Sequence, residues 1–441
     1  MSVTTIALLL FASVFIVAEL RKAHVGIVMF AAACGVGLWM ADLPLDDVIA
    51  GFPIDILILL VGVTYFFGIA KSNGTIGRLV DAALVRVGDN VVALPAVFFT
   101  LTAAISAMGS PLGGLVIAPI AMPVAARRGI DPMLMGLAVG TGLSAGAFAP
   151  TSLFGIVTKG TADSAGIELN ALTLFGAAVV VNLLLLAAAY VMFGGLALRR
   201  ATSPALVAAH AGGGSTSTGS AGSSGTSGSA DTTPSRFEPI HLLTIAFMIG
   251  LFATVIGLAL ADRDPDIGVV AFAFAAGLTL IDPRGGTAAM REIDWSTVLL
   301  VGGIITYVGV LESMGAVDSL GDVAASMATP LLAALVLCAV GGLVSAFAST
   351  TGILAALVPL ALPLIDGGGV SGWGLICALG ICSSIVDVSP FSTVGATIVS
   401  TTTDPEQRPR MTRLLTRWGL SMVVIGPLVL VGTFVAPGVM F

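Results

Sequence analysis

Residues 54–62, IDILILLVG, return in residues 293–302 as IDWSTVLLVG. Ile54-Asp55 becomes Ile293-Asp294, 239 positions later, and Leu60-Val61-Gly62 becomes Leu300-Val301-Gly302. The same offset of 239 lays SAMGSPLGG, from Ser106, onto SAFASTTGI, from Ser345, so that Ser106 meets Ser345, Ser110 meets Ser349 and Gly113 meets Gly352. Pro119, Pro123 and Pro150 fall on Pro359, Pro363 and Pro390 at an offset of 240. The chain is therefore written twice. In an apolar protein, matched Gly/Pro/Ser interruptions in two repeats are the sequence mark of a secondary transporter and of its binding site.

Composition sets the solvent. Mean hydropathy is +1.07, with 57% hydrophobic and 10% charged residues, against roughly 25% charged in soluble domains. This is the balance of an all-α integral membrane protein with many spans. The first residues lack a basic region followed by a cleavage site, so 3–20 reads as a retained span. A crossing helix needs about 20 apolar residues. Spans are expected near 3–20, 24–41, 53–71, 132–158, 172–195, 240–261, 267–282, 295–312, 372–400 and 413–436. Two more apolar stretches, about 91–126 and 330–365, are interrupted in the middle and read as re-entrant hairpins. Amphipathic stretches at about 73–89 and 315–328 precede them. Residues 1–200 and 237–441 are thus two repeats, each of five spans plus one hairpin. An odd span number makes the repeats inverted. Residues 201–236 are Gly/Ser-rich and read as a flexible linker.

Orientation follows from charge. With the 21–23 loop in the cytoplasm, all Lys and Arg except Lys159 and Arg263 out of the total of 18 fall on the cytoplasmic side, a strong positive-inside bias. The expected location is the plasma (inner) membrane, multi-pass, with the linker cytoplasmic and both termini outside. Cys34, Cys338, Cys377 and Cys382 lie in apolar runs and read as packing thiols. His24, His210 and His241 are scattered and make no metal cluster. No organic cofactor and no nucleic-acid partner is expected, and no nucleophile–base pair points to an enzyme. Gly140, Gly142 and Gly146 follow no strand, which excludes a dinucleotide loop.

Non-helical backbone at membrane depth is tolerated only when buried in protein or lining a wet cavity. Four places qualify. Two are the hairpin tips, around Ser110 and around Ser349-Thr350-Thr351. Two are breaks within spans, 140–152 and 382–393, where Pro150 and Pro390 end the helix. Helix N-termini there suit an anion, and freed carbonyls with hydroxyls suit a small cation. Two cation sites around one anion site are expected. Ser106, Ser110, Ser144 and Gly146 would hold one sodium ion; Ser345, Thr350, Ser384 and Asp387 the other. Substrate would lie among Ser110, Thr151, Ser152, Ser349, Thr350, Thr351 and Ser392. No Lys or Arg lies mid-span. Asp387 is the acid placed near the midplane, as a cation ligand or proton carrier, or as a cap for the half-helix after Pro390. Asp55 and Asp294 read as interfacial caps.

The runs DILILLVGVTYFFGIAKSNGT from Asp55 and IAPIAMPVAARRGIDPMLMGL from Ile117, with FASTTGILAALVPLALPL in the second half, resemble MatC-type malonate/dicarboxylate carriers of the ion-transporter superfamily, relatives of divalent-anion/sodium symporters. The resemblance implies an elevator-type transporter, often a homodimer, importing a small dicarboxylate such as malonate with Na+ as coupling ion. In the symporters each tip carries Ser-Asn-Thr. Here the second tip has Ser349-Thr350-Thr351 and the first keeps only Ser110, before Pro111-Leu112. A proton-coupled carrier, a sodium or arsenite/proton antiporter of the same superfamily, and a channel are the alternatives.

Overall fold

The computed structural model describes residues 3–21, 23–79, 82, 90–109, 113–194, 238–260, 266–315, 329–346, 350–366 and 370–437. The linker 201–236 and most of both amphipathic stretches lie outside the described residues, as do Ser110 and Ser349. Every regular element among the described residues is helical.

The first half runs α1 (Val3–Leu20), α2 (Val25–Trp39), a short α3 (Leu45–Ala50) and α4 (Ile54–Ser72). Next come α5 (Leu94–Ala107) and α6 (Gly113–Arg127), where the first hairpin is expected. The break follows as α7 (Pro132–Ala147) and α8 (Leu153–Ser164), then α9 (Ala171–Met192). The second half gives α10 (Pro239–Leu260), α11 (Ile267–Ile281), α12 (Pro283–Ala289) and α13 (Trp295–Ser313). After it stand α14 (Pro330–Ser345), α15 (Thr350–Leu360) and α16 (Leu362–Asp366), then α17 (Gly372–Ile385), α18 (Thr393–Thr401) and α19 (Arg408–Leu430). Both proline-containing spans are divided: α7 stops three residues before Pro150 and α17 five before Pro390. Proline has no N–H and clashes with the preceding turn, which favours ending and restarting the helix at both places.

Among the described residues, four helices are long and apolar enough to cross a membrane: Ile54–Ser72, Ala171–Met192, Trp295–Ser313 and the continuous Pro405–Val435. Several of the other expected spans are shorter apolar helices; α2, with 15 residues, covers only about 22 Å at 1.5 Å per residue.

Contacts pair the two halves reciprocally. α2 packs on α13, and its repeat counterpart α11 packs on α4. At the first crossing Gly26 lies against the backbone of Leu299 and Leu300; at the second, Gly268 lies against that of Ile58 and Leu59. Only a glycine lets helix axes approach so closely, because any side chain would occupy the space of the facing backbone. The same exchange holds for the broken helices. A Cβ on Gly140 would meet Val388, and a Cβ on Gly380 would meet Phe148. These pairs swap under the offset of 240. α8 packs on α15, and its counterpart α18 packs on α6.

α7 and α17 are the centre of the molecule. All residues from Met133 to Ala147 and from Gly374 to Ile385 are buried. A helix that is apolar and buried all round is a core element, and here small residues admit it: α5 crosses α7 with the carbonyls of Phe99 and Ala103 facing Gly142 and Gly146. One pair of the exchange is docked differently from the other. α8 and α15 also pack on α4 and α13, whereas no packing of comparable extent joins α6 or α18 to those helices among the described residues.

Candidate functional site

In the second half, three polar side chains meet where α14 ends, α15 begins and α17 breaks. Thr350 Oγ1 donates to Asp387 Oδ1 at 2.5 Å. Its single hydrogen is thereby used, so Ser345 Oγ, 2.8 Å away, is the donor to Thr350. Asp387 is 9% exposed and Ser345 fully buried. The chain Ser345–Thr350–Asp387 joins two consecutive helices to a break 37 positions further on. Asp387 does not cap α18. That cap is Ser392, whose Oγ accepts from the Gly395 N–H at 3.1 Å and faces the carbonyls of Ser389 and Asp387. The carboxylate is left to Thr350. Thr351 is buried in the first turn of α15.

The first half lacks this chain. Repeat register puts Pro111 where Thr350 stands and Ala147 where Asp387 stands. Ser106 is buried, and among the described residues its hydroxyl has no hydrogen-bond partner. What the halves share is a latch between the break and the preceding arm. Thr151 Oγ1 donates to the Ala107 carbonyl at 2.6 Å, and Ser152 Oγ to that of Ser106 at 2.6 Å. In the second half Ser389 Oγ donates to the Ala346 carbonyl, the counterpart of Ala107, at 2.7 Å. Each latch satisfies a carbonyl that the end of a helix leaves open. Thr151, Ser152 and Ser392, expected to face substrate, thus each hold backbone as well.

Ser144 and Ser384, expected in separate cation sites, hydrogen bond to each other at 2.8 Å. They are repeat counterparts, and a residue on a two-fold axis meets its own copy. Asn182 Nδ2 donates to Ser144 Oγ at 3.2 Å and to the Ala178 carbonyl at 2.9 Å. Ser384 Oγ donates to the Ile381 carbonyl at 3.0 Å. Asn182 was not among the expected residues. Its signal was available: a single Asn in the middle of the apolar run that forms α9, where amides glue helices together. Gly146 lies under the Ala103 backbone, and its carbonyl accepts from the Ala149 N–H at 3.0 Å.

Asp294 caps α13 as expected, accepting from the Thr297 N–H at 3.0 Å and the Thr297 hydroxyl at 2.6 Å. Asp55 makes no such cap; it lies in the first turn of α4. It lines a cleft of about 490 Å³ between α4 and α13 on one side and α8 and α15 on the other, with Thr161, Glu312 and Pro359. None of the residues expected to hold substrate lines that cleft.

No curated protein matches the chain. Residues 1–147 match the family model described as the dicarboxylate carrier protein MatC N-terminus, so over its first third the chain is similar to MatC-type carriers, as the runs from Asp55 and Ile117 imply.

Proposed function

We propose that the protein is a secondary transporter importing a small dicarboxylate, malonate fitting best, by sodium symport with an elevator-type movement. The dicarboxylate follows from the MatC match over residues 1–147. The observation that carries the transport reading is the reciprocal packing of two repeats around two buried breaks. Repeats of this kind place substrate near the midplane, where half-helix ends face it. Inversion of the repeats is supported by the odd number of expected spans and by the charge bias. Ion pairs join residues assigned to one side: Lys71 with Glu292 at 2.5 Å, and Arg410 with Asp131 at 3.1 Å.

Substrate carboxylates would be held by hydroxyls and helix N-termini at Ser110, Thr151, Ser152, Ser349, Thr350, Thr351 and Ser392. Sodium, a cargo ion, would bind at Asp387, Thr350 and Ser345, a hard oxygen set with one full negative charge. The elevator reading rests on the unequal docking of the two exchanged pairs: α8–α15 engages α4 and α13, and the opposite state would engage α6–α18 instead.

The test is uptake of labelled malonate into proteoliposomes with and without an inward sodium gradient at fixed pH. Accumulation only with sodium supports the proposal. Uptake driven by a proton gradient alone keeps the substrate and discards sodium. Substrate-free sodium/proton exchange without malonate uptake replaces the reading by an antiporter.

A further inference from the structure

We infer that coupling is lopsided: one small monovalent cation binds the protein, in the second half at Asp387, Thr350 and Ser345, and the first half holds none. This rests on the transport reading above and assigns its ion count. The repeat by itself argues for two sites, so the residues at the equivalent positions decide. Ser345 corresponds to Ser106, Thr350 to Pro111 and Asp387 to Ala147. Of three oxygen-bearing side chains the first half retains one, and proline and alanine offer neither hydroxyl nor charge.

The other first-half oxygens near the break hydrogen bond only with neutral groups, and no carboxylate stands among them. Ser144 Oγ accepts from Asn182 and donates to Ser384. The Gly146 carbonyl accepts from Ala149. The hydroxyls of Thr151 and Ser152 donate to the carbonyls of Ala107 and Ser106. Among the described residues of the first half, the Ser106 and Thr158 hydroxyls and Asn182 Oδ1 are buried without a partner, and all three are neutral. Neutral oxygens supply no countercharge, and an uncompensated charge in a buried site is costly. In the second half, by contrast, the carboxylate supplies the countercharge, and the Thr350 and Ser345 oxygens stand beside it at hydrogen-bond distance.

The test counts ions by stability rather than by transport. The melting of purified protein in detergent micelles is followed against sodium chloride, with choline chloride keeping ionic strength constant and no malonate present. A bound ion stabilises the folded state in proportion to the logarithm of its concentration above Kd, and the slope is the number of ions bound. The expected slope is one for the wild type and for S106A. It falls to zero over the same range in D387N and T350V, whose sodium affinity drops at least about 10-fold, the loss of one hydrogen bond to a charged group. T350S, which keeps the hydroxyl, retains the slope. A wild-type slope of two, a slope of zero, or a slope of one surviving in both D387N and T350V overturns the inference, and malonate uptake in that protein would leave the carrier reading standing. A slope of one in a protein that moves no dicarboxylate keeps the cation assignment and removes the proposed substrate.

Discussion

Ser144→Ala should destabilise the protein more than Ser384→Ala, although the two serines share one hydrogen bond. The polarity of the network gives the reason. Asn182 Nδ2 donates to Ser144, Ser144 donates to Ser384, and Ser384 donates to the Ile381 carbonyl. Removing the Ser144 hydroxyl deprives Asn182 of an acceptor, while its Oδ1 already has no partner. A stranded buried donor costs about 1–3 kcal/mol. Removing the Ser384 hydroxyl frees only the Ser144 hydrogen, which can turn to the carbonyl one helical turn back, as serines in helices do. That places S384A at about 1 kcal/mol or less. The double variant isolates the shared bond, expected at about 0.6 and at most about 1.7 kcal/mol, the range of hydrogen bonds between membrane helices. Unfolding in mixed micelles, run on both single variants and the double, reads these terms. Additivity within about 0.3 kcal/mol would mean that the pair is not formed. S384A costing more than S144A would mean that the donor order is wrong. A 10-fold loss of sodium affinity in either variant would return the serine to the ion's coordination sphere.

Other consequences are open to simpler assays. Gly140→Ala should lower stability, because its Cβ would sit 2.8 and 3.0 Å from the Val388 methyls; overpacking of about 1–3 kcal/mol exceeds the roughly 1 kcal/mol gained in helix propensity. Gly380→Ala, whose nearest contact is the Phe148 ring edge at 3.2 Å, should lie near neutral in the same thermal melt. Asp294→Ala should cost about 0.5–2 kcal/mol, the price of a helix cap, while Asp55→Ala should stay within about 0.5 kcal/mol; chemical unfolding of the two variants separates them. Tyr190 accepts from the Ala96 N–H at 3.1 Å and donates to the Val92 carbonyl at 2.8 Å, so Tyr190→Phe should loosen the start of α5. Hydrogen exchange at the amides of Leu94, Ala96 and Val97 should then accelerate about 5-fold or more, the equivalent of about 1 kcal/mol for a lost hydrogen bond.

Helix placement was legible because hydropathy and proline act locally. The breaks beside Pro150 and Pro390 were legible because each proline stands among Gly, Ser and Thr residues that also favour a break, whereas α6 runs through Pro119 and Pro123 and α19 through Pro427. The Asp294 cap was legible for the same reason, since its acceptors' partners lie within one turn. Asp55 matched it in sequence and still does not cap: Pro53 takes the capping position of α4, leaving the aspartate two residues too late. The Asp387–Thr350 bond was only half legible. Both residues stood among the expected ligands, but their pairing depends on bringing α15 against the break of α17, 37 positions away. Ser144 and Ser384 were read into two sites because the repeat was treated as two separate copies. The contact between the copies follows from the symmetry axis, which no local pattern displays.

That axis also explains why some positions stayed alike and others diverged. A residue on a two-fold axis faces its own copy, so a polar group on one side requires a polar group on the other. Ser144 and Ser384 obey this, and Asn182 breaks the symmetry from outside, since its counterpart in α19 is Met422. Away from the axis each copy has its own neighbours, and Asp387 could stand where the other half has Ala147. The argument yields a test in the order of variants. Taking away Ser144 alone strands the Asn182 donor and leaves Ser384 only its bond to the Ile381 carbonyl. Replacing Ser144 and Ser384 by alanine still strands Asn182. Replacing Asn182 by leucine as well leaves no polar group without a partner, and an interior cleared of its whole network is often as stable as one that keeps it. The triple variant N182L/S144A/S384A should therefore be more stable than S144A. If instead stability falls with each substitution added, the three side chains contribute independently and the network is not a unit.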